Sequence, residues 1–153
     1  MSRFVPKTAN YAERVKDSFA RQGAMRLLGA TLTRVEPGAV DIAVDFRPEL
    51  NQQHDFFHGG VVGMIGDSAG GYAAFSLMPE DATVLTVEYK MNLLAPADGS
   101  RLVAHGRVLK PGRTLTISRV DIVVLRDGTE HLCATMLQTL MTMTGRSDAP
   151  RQR

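Results

Sequence analysis

Apolar positions follow two different periods along this chain. Tyr11, Val15, Ser18 and Phe19 fall on one face of a helix, and Asn10 with Glu13 three residues later has the form of a capping box. Gly23 is placed to end that helix. Residues 27–35 suit a strand, and Glu36, Pro37 and Gly38 turn the chain. Val40, Ile42, Val44 and Phe46 then alternate with Ala39, Asp41, Ala43, Asp45 and Arg47, the period of a strand with one buried face. From 61 to 78 the pattern changes. That stretch is small and apolar on nearly every side and stops at Pro79, which predicts a helix buried all round. Its glycines (63, 66, 70 and 71) weaken helix propensity, so they predict close approach of other backbone.

Four further strands are expected. In the first, Leu85, Val87, Tyr89, Met91 and Leu93 alternate with Thr86, Glu88, Lys90 and Asn92. The second covers 101–110, and Pro111-Gly112 turns it into the third, over 114–126. The apolar phase of that third strand slips between Ile117 and Val120, which predicts a β-bulge near Ser118 and Arg119. Asp127-Gly128 is a hairpin signal leading to a last strand over 131–143. One all-apolar helix among antiparallel strands has to be wrapped by them, so the expected class is α+β: about six curved strands around a long central helix, with a short N-terminal helix.

Composition narrows this picture. A chain of 153 residues, 44% apolar and 22% charged, suits one globular domain. The expected division is an N-terminal arm and helix over 1–23, the main domain over 24–144 and a polar, basic tail over 145–153. A net charge of +2 gives no reason to expect nucleic acid. Cys133 is the only cysteine, so no intrachain disulfide is expected and a reducing, cytoplasmic setting is the default. The opening residues lack the apolar core of a secretory signal. Residues 61–78 are long enough to raise the idea of a membrane span, but a mid-helix Asp and alternating strands on both sides argue against one.

The candidate chemistry lies between Asn51 and Asp67. Asp67 is the only charged residue between Gly60 and Pro79, and an ionised carboxylate in an apolar helix costs several kcal/mol unless paired or hydrated. It is either a functional acid or a carboxylate at an exposed helix edge. Gly59 and Gly60 open the helix, where the first N–H groups lack intrahelical partners and the dipole is positive. Such N–H groups suit a developing oxyanion, although glycines also fit a plain tight turn. His54 and His58 are four apart, but the Glu of a zinc-protease motif is replaced by Asp55, so no metal is expected. Ser68 and Ser76 lie inside the helix, outside any nucleophile elbow, and Cys133 reads as a core thiol. His105, Arg107, Lys110 and Arg113 flank the Pro111 turn. They form either a solvated turn or a grip for phosphates.

His58-Gly59-Gly60, six intervening residues, Asp67, and then Ala69, Gly71, Ala73 and Ala74 together resemble the PaaI-type hotdog thioesterases. Leu93-Leu94-Ala95-Pro96-Ala97 and Gly112-Arg113-Thr114 resemble later strands of that family, and the likeness covers roughly residues 27–143. It implies a hotdog fold, dimeric and often tetrameric, with an active site at the subunit interface and no cofactor. It also implies that the Gly59 N–H polarises a thioester carbonyl and that Asp67 acts as nucleophile or general base. Gln52 would orient water or substrate, His58 would support the loop, and Thr86 would come from the partner subunit. Phe56, Phe57, Gly60 and Ser68 would line the substrate, with Lys110 and Arg113 on the coenzyme A phosphates. The family often has Gly three residues before the His, where this chain has Asp55. The implied activity is hydrolysis of an acyl- or aryl-CoA. A hotdog dehydratase using His54 and Asp67 on an acyl-carrier-protein substrate is the enzymatic alternative, and an acyl-CoA-binding protein without catalysis is the other.

Overall fold

The computed structural model describes residues 4–146 and 148–150. Part of the expected basic tail, residue 147 and residues 151–153, lies outside the described residues, as do residues 1–3 of the arm. Helix α1 spans Tyr11–Arg21 and α2 spans Gly23–Leu28, followed by strands β1 (Thr31–Glu36) and β2 (Ala39–Asp45). The long helix α3 covers Gly59–Phe75, and β3 (Ala82–Leu93), β4 (Arg101–Lys110), β5 (Leu115–Arg126) and β6 (Thr129–Thr144) complete the chain. The six strands form one antiparallel sheet in the order β1-β2-β4-β5-β6-β3, with α3 packed against β2 to β6. This is the curved sheet around a central helix that the periodicities predict.

Several local expectations need correction. Asn10 makes no side-chain cap, because its backbone (φ −90°, ψ 20°) is not in the extended form that swings the side-chain oxygen over the first turn. Gly23 starts α2 instead of ending the helical region, and α2 runs on through Leu27 and Leu28, where a strand was expected to begin, burying Met25 and Leu28. Gly29, at φ 68°, makes the actual stop. No bulge interrupts β5 at Ser118-Arg119. The extra residue is Leu109 on β4, opposite Ile117 and Ser118. The apparent slip of phase arises because Thr116 and Ser118 face inward although polar, and Ser118 donates to Gly70 O at 3.2 Å. In β2 both faces are buried, not one: Asp41 is 7% exposed, beneath His105 and Arg107 of β4.

The strand after α3 departs from its expected alternation in a way that matters later. A bulge at Val87 breaks the β3–β6 register between Thr86 and Glu88. It switches the inward set from Ala82, Val84 and Thr86 to Tyr89, Met91 and Leu93, so a polar residue faces the helix and Leu85 is exposed.

The core is set by how closely the sheet meets α3. A Cβ at Gly106 of β4 would stand 2.4 Å from Ala69 O, so backbone touches backbone there. At the far end of α3, Arg14 gathers chain ends together. Its guanidinium donates to Met78 O (3.2 Å), Pro79 O (3.1 Å) and Ala82 O (3.0 Å) and lies 4.7 Å above the Phe75 ring. The Asp127-Gly128 hairpin forms as expected, with φ of 51° and 76°.

Gly106→Ala should therefore destabilise the fold by about 1–3 kcal/mol, the usual cost of forcing a methyl into a closed contact. Urea unfolding followed by circular dichroism would show it. A midpoint equal to the parent's would mean that β4 and α3 can move apart freely.

Candidate active site

The loop before α3 is held by its own polar groups. Gln52 N donates to Phe56 O (2.9 Å), Asp55 N donates to Gln52 O (3.0 Å), and Asn51 bridges Phe57. Asp55 sits at φ 62°, the left-handed region, with Asn51 Nδ2 on its carboxylate at 2.7 Å. A residue that departs from the family's glycine thus adopts the backbone that glycine would supply, and Asp is among the few side chains that tolerate it. The Gln52 amide oxygen accepts from His54 N. His58 is the N-cap of α3, its Nδ1 accepting from Gly60 N at 2.8 Å. That leaves the Gly59 N–H without an acceptor among the described residues. Gln52, Phe56, Phe57, Gly59 and Leu93 line a cavity of about 480 Å³ whose remaining wall includes Leu94 to Ala97 and Cys133. Burial pushes the Cys133 thiol up to about 11, and its Sγ donates to Ile122 O, so it is a packing group.

Asp67 lies two turns further along α3, in a second cavity of about 330 Å³. The inward Thr86 donates its hydroxyl to Asp67 Oδ1 at 2.7 Å. This contact is made within one chain. Gln138, on β6 and fully buried, donates Nε2 to the same Oδ1, to Asp67 O (3.1 Å) and to Thr86 Oγ1 (3.2 Å). Sequence reasoning missed Gln138. Its only signal was a glutamine at an inward position of a strand whose neighbours on that face, Met136 and Leu140, are apolar. Ser68 donates to Gln22 Oε1 (3.2 Å), Gln22 Nε2 to Tyr72 Oη (3.0 Å), and Tyr72 Oη to Ser18 Oγ (3.2 Å), so α1 closes one wall. Burial raises the Tyr72 phenol, which stays protonated as a donor. Asp148 completes the rim, tied to Arg21 (2.5 Å) and Thr83 (2.7 Å).

The candidate residues therefore form two groups on one chain. Eight residues of helix, at about 1.5 Å each, put Gly59 and Asp67 roughly 12 Å apart. The basic cluster also divides. Arg107 donates to Asp41 at 2.5 Å, and His105 Nδ1 lies 3.2 Å from the other carboxylate oxygen in a bent approach. These two are occupied within the sheet, which leaves only Lys110 and Arg113 of the proposed phosphate grip. Neither lines the two cavities. Among the described residues no group of three or more His, Cys, Asp or Glu is placed to hold a metal ion, and no helix is long and apolar enough to cross a membrane.

A sheet curved around a buried helix, with a free N–H at the helix start and a held carboxylate two turns further on, is the arrangement of a known class. The thioesterase superfamily profile matches residues 54–131, and the chain belongs to that superfamily, with its hotdog fold. Among solved structures, a thioesterase family protein from Silicibacter pomeroyi is 50% identical with a TM-score of 0.87, covering 88% of this chain and 99% of that one. The PaaI protein of the Escherichia coli phenylacetic acid degradation operon shares the fold at 16% identity, with a TM-score of 0.80 over 91% of this chain and 97% of its own. A protein of Saccharolobus solfataricus, named as a proposed esterase, is 30% identical over 125 residues, covering 82% of this chain and 81% of that relative.

The Asp41 cluster gives a pH signature. Contact with the Asp41 carboxylate raises His105 above its ordinary value, against the opposing effect of burial. Burial pushes Asp41 up, but His105 and Arg107 together outweigh it and hold its carboxyl below the usual range. A raised histidine stabilises fully below its unfolded value of about 6.5, and that contribution is lost as pH rises through the folded value. The lowered Asp41 stabilises above about 3.9 and loses its contribution as pH falls through its folded value. The stability difference between parent and His105→Gln should thus be largest between about pH 4 and 6.5 and shrink at higher pH. Denaturant titrations across pH 5–9 would check this, and a difference that does not change with pH would contradict it.

Proposed function

We propose that the protein hydrolyses an acyl- or aryl-coenzyme A thioester to the free acid and coenzyme A. The observation that carries this reading is the Asp67 carboxylate, oriented by Thr86 and Gln138 on the same helix that offers the free Gly59 N–H. A thioester needs little more. Its thiolate leaves easily, with a thiol pKa near ~8.5, so one backbone donor on the carbonyl and one carboxylate suffice. As general base, Asp67 takes a proton from water, the hydroxide adds to the carbonyl carbon, and the C–S bond breaks with the sulfur taking up a proton. As nucleophile, Asp67 adds directly and displaces the thiolate, and water then cleaves the mixed anhydride. Gln52, which lines the same cavity as Gly59, is the residue proposed to orient the carbonyl or the water.

The roughly 12 Å between the two groups supports a site completed by a second copy, with Gly59 and Gln52 of one subunit facing Asp67 of the other. Strand β3 is at the edge of the sheet and leaves Leu85, Val87, Tyr89 and Leu93 about half exposed, which suits pairing with another copy. Lys110 and Arg113 are the cations proposed to meet the coenzyme A phosphates.

Light scattering at micromolar concentration should give a dimer or tetramer, and a monomer would remove the shared site. Asp67→Asn should keep its circular dichroism spectrum and lose at least ~10²-fold in kcat for thiol release from an acyl-CoA panel. A folded variant that keeps most of its activity would make Asp67 structural. Replacing Lys110 and Arg113 together with Ala should raise KM for acyl-CoA at low salt, flatten its salt dependence and leave kcat nearly unchanged. A short thioester without the nucleotide should not respond, and unchanged acyl-CoA binding at low salt would place the phosphate contacts elsewhere.

A further inference from the structure

Gln138 is an expensive residue to bury. Its side chain is 0% exposed, yet its Oε1 has no hydrogen-bond partner among the described residues. The same oxygen occupies the place of a side chain at Gly70: a Cβ there would stand 2.0 Å from it. An apolar residue of similar size would fill this space without stranding a carbonyl, so stability alone does not account for the glutamine. What it supplies is the opposite end. Nε2 faces Asp67 Oδ1, Asp67 O and Thr86 Oγ1. Turning the amide over would set Oε1 against these oxygens, so the neighbours fix its orientation.

The consequence falls on Asp67. Oδ1 takes hydrogen bonds from both Thr86 and Gln138, while Oδ2 takes none from a described residue. Both donors sit on neighbouring strands, β3 and β6, whose bulged register brings Thr86 inward. We infer that Gln138 is a positioning residue that fixes the Asp67 carboxylate through Oδ1 and so makes Oδ2 the reacting oxygen. The inference rests on the thioesterase reading of Asp67 and adds to it a residue and the choice of atom.

Two variants test it, with the Asp67→Asn protein as reference. Gln138→Met keeps the size and removes the donor. It should lower kcat for acyl-CoA hydrolysis by roughly tenfold or more, toward the ~10²-fold that misplacing a reacting group costs, with KM within about twofold of the parent. Gln138→Glu puts a second carboxyl beside Asp67, and only its protonated form can donate to Oδ1. Its kcat relative to the parent should climb as pH is lowered from 8 to 5, whereas the Gln138→Met ratio should stay flat. A purely structural role would change melting temperature and leave both ratios flat and near one. If the parent is active, Asp67→Asn inactive and Gln138→Met within about twofold of the parent in kcat, the positioning role is overturned and the thioesterase reading stands. If the parent cleaves no acyl-CoA in the panel, both fall together.

Discussion

The contact between the Gly106 backbone and the α3 backbone at Ala69 governs the rest of the molecule. With no side chain between them, the helix seats directly on β4, and the sheet has to curve to keep β5, β6 and β3 against its flanks. Short side chains on β6 would then be enough to reach the helix, and a glutamine there reaches the carboxylate of Asp67. A wider helix–sheet spacing would leave that carboxylate to solvent. The geometry of the candidate site is a by-product of how tightly the core is closed.

The fold was legible because its two hydrophobic periods differ so plainly. An apolar stretch of helix length among alternating strands has few ways to bury itself, and the strand limits followed from Pro79, Pro111-Gly112 and Asp127-Gly128. Where the reading failed, tertiary contacts had overruled local pattern. Leu28 satisfies a helix as well as a strand, and only burial against the core decides between them. The inward Ser118 looked like a break in phase because its partner, the Gly70 carbonyl, is 48 residues away.

The site was half legible. Gly59, His58 and Asp67 stand close in sequence, so spacing along a helix could reveal them. Gln138 is 71 residues from Asp67 and carries no local signature. Thr86 was found by resemblance, but its orientation depends on a bulge that the smooth alternation from Leu85 to Leu93 concealed. His105 and Arg107 looked free beside a turn, whereas the neighbouring strand supplies Asp41 to hold them.

The Arg14 contact has a consequence for how the chain is made. Its carbonyl partners follow it by 64 to 68 residues, so the first helix is synthesised well before the surface that receives it. The helix must wait, with Val15 uncovered, until α3 and the start of β3 have been translated. Arg14 then ties the earliest helix to the last carbonyls after α3, and that late closure also brings Ser18 and Gln22 to the wall beside Asp67. The wall on the α1 side of the cavity thus comes from the segment of it translated first, while Asp148 closes the rim last, and a chain without the α1 docking step would carry Asp67 and Thr86 without that wall.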